Sequence, residues 1–275
     1  MKWSWKIAKL AGIDVYVHAT FLLLLGWVAV AHRSSGRAAL EGVAFTLAIF
    51  ACVLLHELGH ALAARRFGIP TRDITLLPIG GVARLARMPK EPARELVVAL
   101  AGPAVNVVIS VGLFAWLAAT GGWAPLAQLG VAGGPFLERL AIANAGLALF
   151  NLIPAFPMDG GRILRALVAL RTDYARATRI ASRIGQGMAI LFGIAGLFGN
   201  PMLLFIALFI WMGAASENRA AQFEAAARGM RSVTVFKVHR VRQPGSPVGA
   251  RTLSMLRRAR YASPLPRSGW RPAAG

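Results

Sequence analysis

Long apolar runs alternate with shorter segments rich in charged residues, proline or glycine along this chain. An α-helix needs about 20 apolar residues to cross a bilayer, and several of the runs approach that length. The predicted fold class is therefore α, a polytopic integral membrane helical bundle. We predict about six spans, at about residues 18–31, 38–67, 94–119, 136–152, 177–198 and 202–221.

The segments between the apolar runs carry patterns of their own. Residues 1–17 alternate basic and apolar side chains, and residues 70–86 place β-formers between Pro70 and Leu85. Both patterns predict short β-strands, at the N-terminus and in the 70–86 segment. A short amphipathic helix is predicted at 160–171, after the prolines that end the fourth run.

The first apolar run has a second interpretation, as a secretory signal peptide. A basic start precedes it, and Ala29-Val30-Ala31 resembles a cleavage site. Asp14 and the long lead-in favour a membrane span instead.

Composition narrows the class of protein further. The chain has 275 residues, of which 56% are hydrophobic and 15% charged, and its mean hydropathy is +0.57. Soluble domains contain about 25% charged residues, so a soluble globular enzyme is excluded. Cys52 is the single cysteine, and no intramolecular disulfide is possible.

The net charge of +20 raises the question of where the basic residues lie. They precede the first span, separate the second from the third and the fourth from the fifth, and follow the sixth. The loops at 120–135 and 199–201 carry no charge. Because Lys and Arg collect in cytoplasmic loops, we predict a multi-pass cell-membrane protein with both termini cytoplasmic. Arg33 and Arg37 are the exceptions to this pattern.

The C-terminal segment differs in composition from the rest. Residues 230–275 contain ten Lys and Arg and no acidic residue, and they are rich in Pro, Ser and Gly. We predict a core at 1–229 and a basic, disordered tail at 230–275. Such a tail favours contact with anionic lipid headgroups, and no nucleic-acid partner is expected.

The second run contains a short motif of ionisable residues, His56-Glu57-Leu58-Gly59-His60. Histidines four residues apart lie on one face of a helix, where they can share a metal ion. Glu57 can then reach a water molecule on that metal. The alternative is a set of interhelical hydrogen bonds, although ionisable groups within a span are costly.

A third ligand has to come from another part of the chain. Asp159 is the only carboxylate between Glu138 and Asp173, and it follows a proline-broken turn at the end of a span. Non-helical backbone at membrane depth is tolerated where it lines a cavity. The alternative role for Asp159 is to cap the helix predicted at 160–171.

These residues together resemble the site-2 protease family of intramembrane zinc metalloproteases. The resemblance is carried by His56-Glu57-Leu58-Gly59-His60 and by the Asn151…Pro154…Asp159-Gly160 motif, and it covers about residues 5–225. Weaker similarity comes from Ala101-Gly102-Pro103…Asn106 and Leu77-Pro78-Ile79-Gly80-Gly81. The chain looks like the six-span branch of the family.

The resemblance implies one Zn²⁺ per chain, bound by His56, His60 and Asp159, with Glu57 as the general base. It also implies that Asn151 is catalytic and steadies the substrate or the developing oxyanion. Members of this branch often carry paired CBS domains after the last span. We expect none here, because residues 230–275 lack the patterning of a folded domain.

The predicted function is that of a zinc metalloendopeptidase acting in regulated intramembrane proteolysis. Its partners are the lipid bilayer and a transmembrane protein or peptide substrate, cut near the cytoplasmic face. Residues 70–86 could pair with an unwound substrate through an exposed strand edge. The alternative is a membrane zinc-binding or transport protein without peptidase activity, and the sequence leaves the oligomeric state open.

Overall fold

The computed structural model describes residues 3–33, 35–86, 89–121 and 135–241, with side chains up to Phe223. It divides into two compact units, Met1–Ala221 and Gln222–Gly275, and the candidate site lies in the first. The elements in chain order are β1 (Ser4–Leu10), β2 (Ile13–His18), α1 (Ala19–Ala31), α2 (Gly36–Arg66), β3 (Thr71–Leu77), β4 (Gly80–Leu85), α3 (Pro92–Ala119), α4 (Phe136–Leu152), α5 (Asp159–Ala169), α6 (Tyr174–Phe198) and α7 (Met202–Val241).

The helices confirm a mostly α-helical membrane protein. In the described ranges, four helices are long and apolar enough to cross a bilayer: α2, α3, α6 and the first 22 residues of α7. The other two predicted spans form α1, with 13 residues, and α4, with 17. Thirteen residues extend only about 20 Å, against a hydrocarbon core of about 30 Å. The count of six spans therefore stays a prediction.

The chain beyond the last predicted span is described only in part. The helix α7 continues to Val241, and residues 242–275 of the predicted basic tail lie outside the described residues. The boundary between core and tail stays a prediction. The loop predicted at 120–135 falls almost wholly outside the described ranges as well.

The predicted strands form one four-stranded sheet, in the order β1-β2-β3-β4. Each hairpin is antiparallel, as its short turn requires, while β2 and β3 pair in parallel and so join the two hairpins. Ile13 and Ile74 from this sheet pack with Leu58 and Ala61 of α2. The sheet therefore lies directly against the helix that carries the two histidines.

The turn between α4 and α5 is packed too closely for side chains at two positions. A Cβ at Gly160 would contact the carbonyl oxygens of Leu152 and Ile153, and one at Gly161 would lie 2.6 Å from the Phe156 nitrogen. Glycine is the residue that permits such an approach. This tight turn fixes Asp159 at the first position of α5.

Candidate metal centre

Three side chains from two helices converge at the centre of the helical unit. His56 Nε2 and His60 Nε2 lie 3.1 Å apart, and Asp159 Oδ2 lies 3.2 Å and 3.0 Å from them. All three residues are at most 6% exposed. Among the described residues they form a group that could hold a metal ion. The structure therefore brings together the three residues that the sequence suggested as ligands.

The hydrogen bonds made by the Nδ1 atoms show that Nε2 is the nitrogen of each ring that is available to a metal ion. His60 Nδ1 donates to the backbone carbonyl of Val98 at 2.7 Å, and His56 Nδ1 donates to Asn106 Oδ1 at 2.5 Å. A neutral imidazole that donates through Nδ1 presents a lone pair at Nε2. Two such lone pairs and one carboxylate oxygen converge, and a shared cation satisfies all three.

The spacing of these atoms suits zinc. A tetrahedral zinc ion with bonds of about 2.0–2.1 Å separates its ligand atoms by roughly 3.3 Å, close to the observed distances. Two histidines and one carboxylate also form a ligand set typical of catalytic zinc sites, which keep a fourth position open.

Space for an ion is provided by Gly102 of α3. A Cβ built on Gly102 would collide with His60 Nε2 and lie 2.6 Å from His56 Nε2. The missing side chain thus leaves a cradle beside the two ligand nitrogens. The sequence offered only a hint of this role, a glycine preceding a proline within an apolar helix.

Asp159 does not cap α5, which was the alternative interpretation. The N-cap residue of α5 is Met158, and Asp159 follows it as the first helical residue. Its Oδ2 faces the histidines, while Oδ1 lies 3.7 Å from Arg162 Nη1. An anionic side chain in the first turn is also favourable beside the helix N-terminus.

Glu57 is positioned by the sheet rather than by a neighbouring helix. Its Oε2 accepts a hydrogen bond from the Ala83 backbone nitrogen of β4 at 3.1 Å. A Cβ on Gly81 would lie 2.8 Å from Glu57 Cγ, so the glycine lets β4 approach this side chain closely. Parallel pairing of β2 with β3 is what brings β4 to this place.

The strand β4 is held in register by an ion pair outside the spans. Arg84 Nε and Nη2 donate to the two carboxylate oxygens of Asp73 on β3, at 2.7 Å and 2.6 Å. These hydrogen bonds raise the pKa of the Arg84 guanidinium above its usual value.

A cavity of about 370 Å³ connects these groups. Its walls include the three candidate ligands, Glu57, residues 79–83 of the β-hairpin and Asn151 of α4. Asn151 Nδ2 donates to the Leu147 carbonyl of its own helix at 2.9 Å. An amide nitrogen carries a second hydrogen, so this bond leaves one donor for the cavity.

The remaining polar residues of the spans have partners of other kinds. His18 caps α1, accepting from the Thr20 nitrogen, and His32 Nδ1 bonds to the Val28 carbonyl. Cys52 is buried and lies 3.3 Å from Asn144 Nδ2. The two histidines are thus hydrogen-bonded within their own segments, and Cys52 lies beside α4.

Comparison with known proteins gives consistent results. The sequence matches the description Peptidase family M50 over residues 44–132 and 124–192. It is 35% identical over 237 residues to a zinc metalloprotease of Methanocaldococcus jannaschii, covering 86% of this chain and 67% of the relative. It is 29% identical over 157 residues to the stage IV sporulation protein FB of Bacillus subtilis, covering 57% of this chain and 51% of that protein.

A solved structure shares the fold. The site-2 protease from Methanocaldococcus jannaschii superposes with a TM-score of 0.56 at 36% sequence identity, covering 78% of this chain and 95% of that one. The first curated relatives are longer, and the chain spans 60–67% of their length. By sequence match and by fold, the chain belongs to Peptidase family M50, the site-2 protease family.

Proposed function

We propose that this protein is an intramembrane zinc metalloendopeptidase that hydrolyses peptide bonds in transmembrane helices of substrate proteins near the cytoplasmic face. The observation that carries the proposal is the convergence of His56 Nε2, His60 Nε2 and Asp159 Oδ2 within 3.2 Å of one another. A general base, Glu57, lines the same cavity.

In this proposal His56, His60 and Asp159 hold the zinc ion. When bound, zinc supplies Lewis acidity towards a peptide carbonyl and towards water. Glu57 takes a proton from the attacking water and later delivers it to the leaving amine. The Ala83 N–H fixes one oxygen of Glu57 and leaves the other for this proton transfer. Asn151 would direct its second amide hydrogen towards the developing oxyanion.

The substrate has to be unwound before it can react, because a helix uses its peptide groups in internal hydrogen bonds. The pairing within the sheet narrows the part of residues 70–86 that could receive it. β3 is paired on both sides, by β2 and by β4, so residues 74–77 offer no free edge. β4 is one of the two edge strands of the sheet, and five of its residues line the cavity. An extended peptide is proposed to pair there.

The charge pattern supports the proposed cytoplasmic location of the cut. Arg65 and Arg66 end α2, and His60 precedes Arg65 by five residues, about 7–8 Å along a helix. Arg162 lies three residues after Asp159. Basic residues mark the cytoplasmic side, which supports a site near that face and cytoplasmic termini.

The proposal is tested with purified wild type, Glu57→Gln and Asp159→Ala in proteoliposomes that contain a synthetic transmembrane helix. Wild type should contain one zinc per chain and cleave the helix. Glu57→Gln should retain zinc and lose cleavage by about 10²–10⁴-fold. Asp159→Ala should lose both.

Two results would contradict the proposal. Equal zinc content in wild type and Asp159→Ala would remove Asp159 from the ligand set. Undiminished cleavage by Glu57→Gln would remove the general base, whereas zinc transport that survives in a cleavage-inactive wild type would favour the non-proteolytic alternative.

A further inference from the structure

Two asparagines link the candidate metal centre to the backbone of α4. Asn106 lies on α3 and Asn144 on α4, and both are fully buried. Asn144 Nδ2 donates to the Leu140 carbonyl at 2.9 Å, and Asn106 Nδ2 donates to Asn144 Oδ1 at 2.9 Å. Asn106 Oδ1 then accepts from His56 Nδ1. We call this chain of bonds the asparagine relay.

The relay has only one self-consistent direction. The Leu140 carbonyl is an acceptor alone, so Asn144 must turn its NH₂ group towards it. Asn144 then presents Oδ1 to Asn106, which must answer with its own NH₂ group. Asn106 is left with Oδ1 facing His56 Nδ1. Because this oxygen can only accept, His56 Nδ1 must carry a proton. In the neutral ring, Nε2 then has the lone pair.

His60 needs no side-chain partner to fix its tautomer. His60 Nδ1 donates directly to the Val98 carbonyl, and a backbone carbonyl cannot exchange its acceptor for a donor. A side-chain amide can do so by rotating half a turn, which swaps its oxygen and nitrogen. In that orientation Asn106 would donate to Nδ1 and place the proton on Nε2 of His56.

We propose that the asparagine relay holds His56 in the tautomer that binds the metal, and that Asn144 thereby sets the zinc affinity as a positioning residue. Asn144 is hydrogen-bonded to Asn106, Cys52 and the Leu140 carbonyl, so it would act on the metal centre through Asn106. The inference rests on the proposed function, because it assumes that His56 is a zinc ligand.

The first test replaces Asn144 by leucine, which has a similar shape and no polar group. Asn106 then loses the partner that fixes its orientation. Partners of this kind are worth about 10–100-fold in metal affinity, and we expect a loss of that size. The dissociation constant for Zn²⁺ is measured by chelator competition on purified, detergent-solubilised protein.

A second variant separates orientation from packing. A carboxylate has only acceptor oxygens and no wrong orientation, so Asn106→Asp accepts from His56 whatever residue 144 does. With Asn106→Asp in place, the added Asn144→Leu should cost little further zinc affinity, because a carboxylate needs no partner to orient it. If Asn144→Leu acted through loose packing, it would lower the zinc affinity of Asn106→Asp as much as that of wild type, and the proposal would be overturned.

Ser110→Ala is the matched control. Ser110 is buried on α3 and donates to the Ala141 carbonyl of α4 at 2.9 Å, across the same helix interface but outside the relay. Its substitution should leave the zinc dissociation constant unchanged. An equal loss in Ser110→Ala and Asn144→Leu would show that the interface as a whole, and not the relay, determines affinity.

A measurement on the unmodified protein covers the case in which Asn144→Leu does not fold. Nitrogen NMR of ¹⁵N-histidine-labelled, zinc-loaded wild type reports which nitrogen of the His56 ring carries the proton and which binds the metal. The relay requires Nδ1–H and a metal-bound Nε2. Binding of the metal through Nδ1 would overturn it.

Failure of the relay and failure of the proposed function give different results. If Asn144→Leu binds zinc as tightly as wild type while Asp159→Ala loses it, the relay is wrong and the metal centre stands. If Asp159→Ala also keeps its zinc, the proposed ligand set itself is wrong.

Discussion

Gly102 of α3 has only a hydrogen atom as its side chain, and this leaves room beside α3 for the two histidine rings. The rings are held at their far ends by Asn106 and by the Val98 carbonyl, so they are not free to move aside. A methyl group at Gly102 would meet both Nε2 atoms. Gly102 is therefore expected to matter for metal binding although it supplies no ligand.

We expect Gly102→Ala to fold and to lose most of its zinc. Alanine favours a helix over glycine by about 0.5–1 kcal/mol, so the α3 helix itself should not suffer. The methyl group instead fills the space beside His56 and His60. Zinc content per chain, measured by elemental analysis after purification, gives the result.

Gly112→Ala is the control on the same helix. A Cβ at Gly112 meets no atom within 4 Å, and this variant should keep its full zinc content. Retention of zinc by Gly102→Ala would show that the rings can rearrange around the added methyl group.

At the scale of elements, β4 serves the site in two ways. Its backbone nitrogen at Ala83 holds Glu57, and its outer edge faces the cavity. Along an antiparallel edge strand, the backbone N–H and C=O groups of every second residue point away from the sheet. Those of Gly81 and Ala83 therefore point in the same outward direction. A substrate strand paired with β4 would therefore contact it through every second residue.

This geometry predicts a period of two in the substrate. Synthetic transmembrane helices can carry single ester bonds in place of amides near the cleavage site, each of which removes one N–H donor. Esters at alternate positions should lower the cleavage rate by roughly 2- to 10-fold, the value of one hydrogen bond, and those between them should have little effect. Product formation is followed by mass spectrometry.

The ester series contains its own control. Esters at neighbouring positions each remove one N–H, and they differ only in whether that N–H points towards β4 or away from it. Equal effects at all positions would exclude strand pairing with β4 and favour recognition by side chains alone.

At the scale of the whole molecule, a buried ion-pair network connects helices that are distant in sequence. Arg165 of α5 donates to Glu95 of α3 and to Glu217 of α7. Its guanidinium carbon also lies 5.0 Å from the ring centres of Phe156 and Tyr174. Arg165 lies on the same short helix as Asp159, so the network fixes the helix that carries the third candidate ligand.

Removing Arg165 should destabilise the protein strongly. Glu95 is fully buried, and Arg165→Met would leave its charge without a partner, at a cost of about 3–5 kcal/mol. The double variant Arg165→Met with Glu95→Gln should recover part of this loss, since it removes the unpaired charge. Thermal unfolding in detergent, at fixed zinc concentration, measures both.

The matched control is the exposed ion pair between Arg94 and Glu91, whose side chains are 49% and 56% exposed. Exposed pairs contribute about 0–1 kcal/mol, so Arg94→Met should shift the unfolding temperature little. Similar shifts for Arg165→Met and Arg94→Met would contradict a structural role for the buried network.

The sequence predicted those features that depend on local periodicity. Apolar runs predicted the helices, the patterns at the N-terminus and in residues 70–86 predicted short strands, and the spacing of His56 and His60 placed both rings on one helical face. Pairing between distant strands lay beyond such patterns. β2 covers one side of β3 in parallel, so within residues 70–86 the free strand edge is that of β4.

The sequence by itself therefore determined the class of protein and where its helices and short strands lie, because these follow from patterns within a few turns of chain, and it supplied the candidate site residues. Only the tertiary structure decided how these parts meet. Asp159 reaches histidines 99 and 103 residues away, and Gly102, Asn106 and Asn144 gain their roles from helix packing. Contacts between distant segments depend on packing by many elements at once, which no local pattern contains.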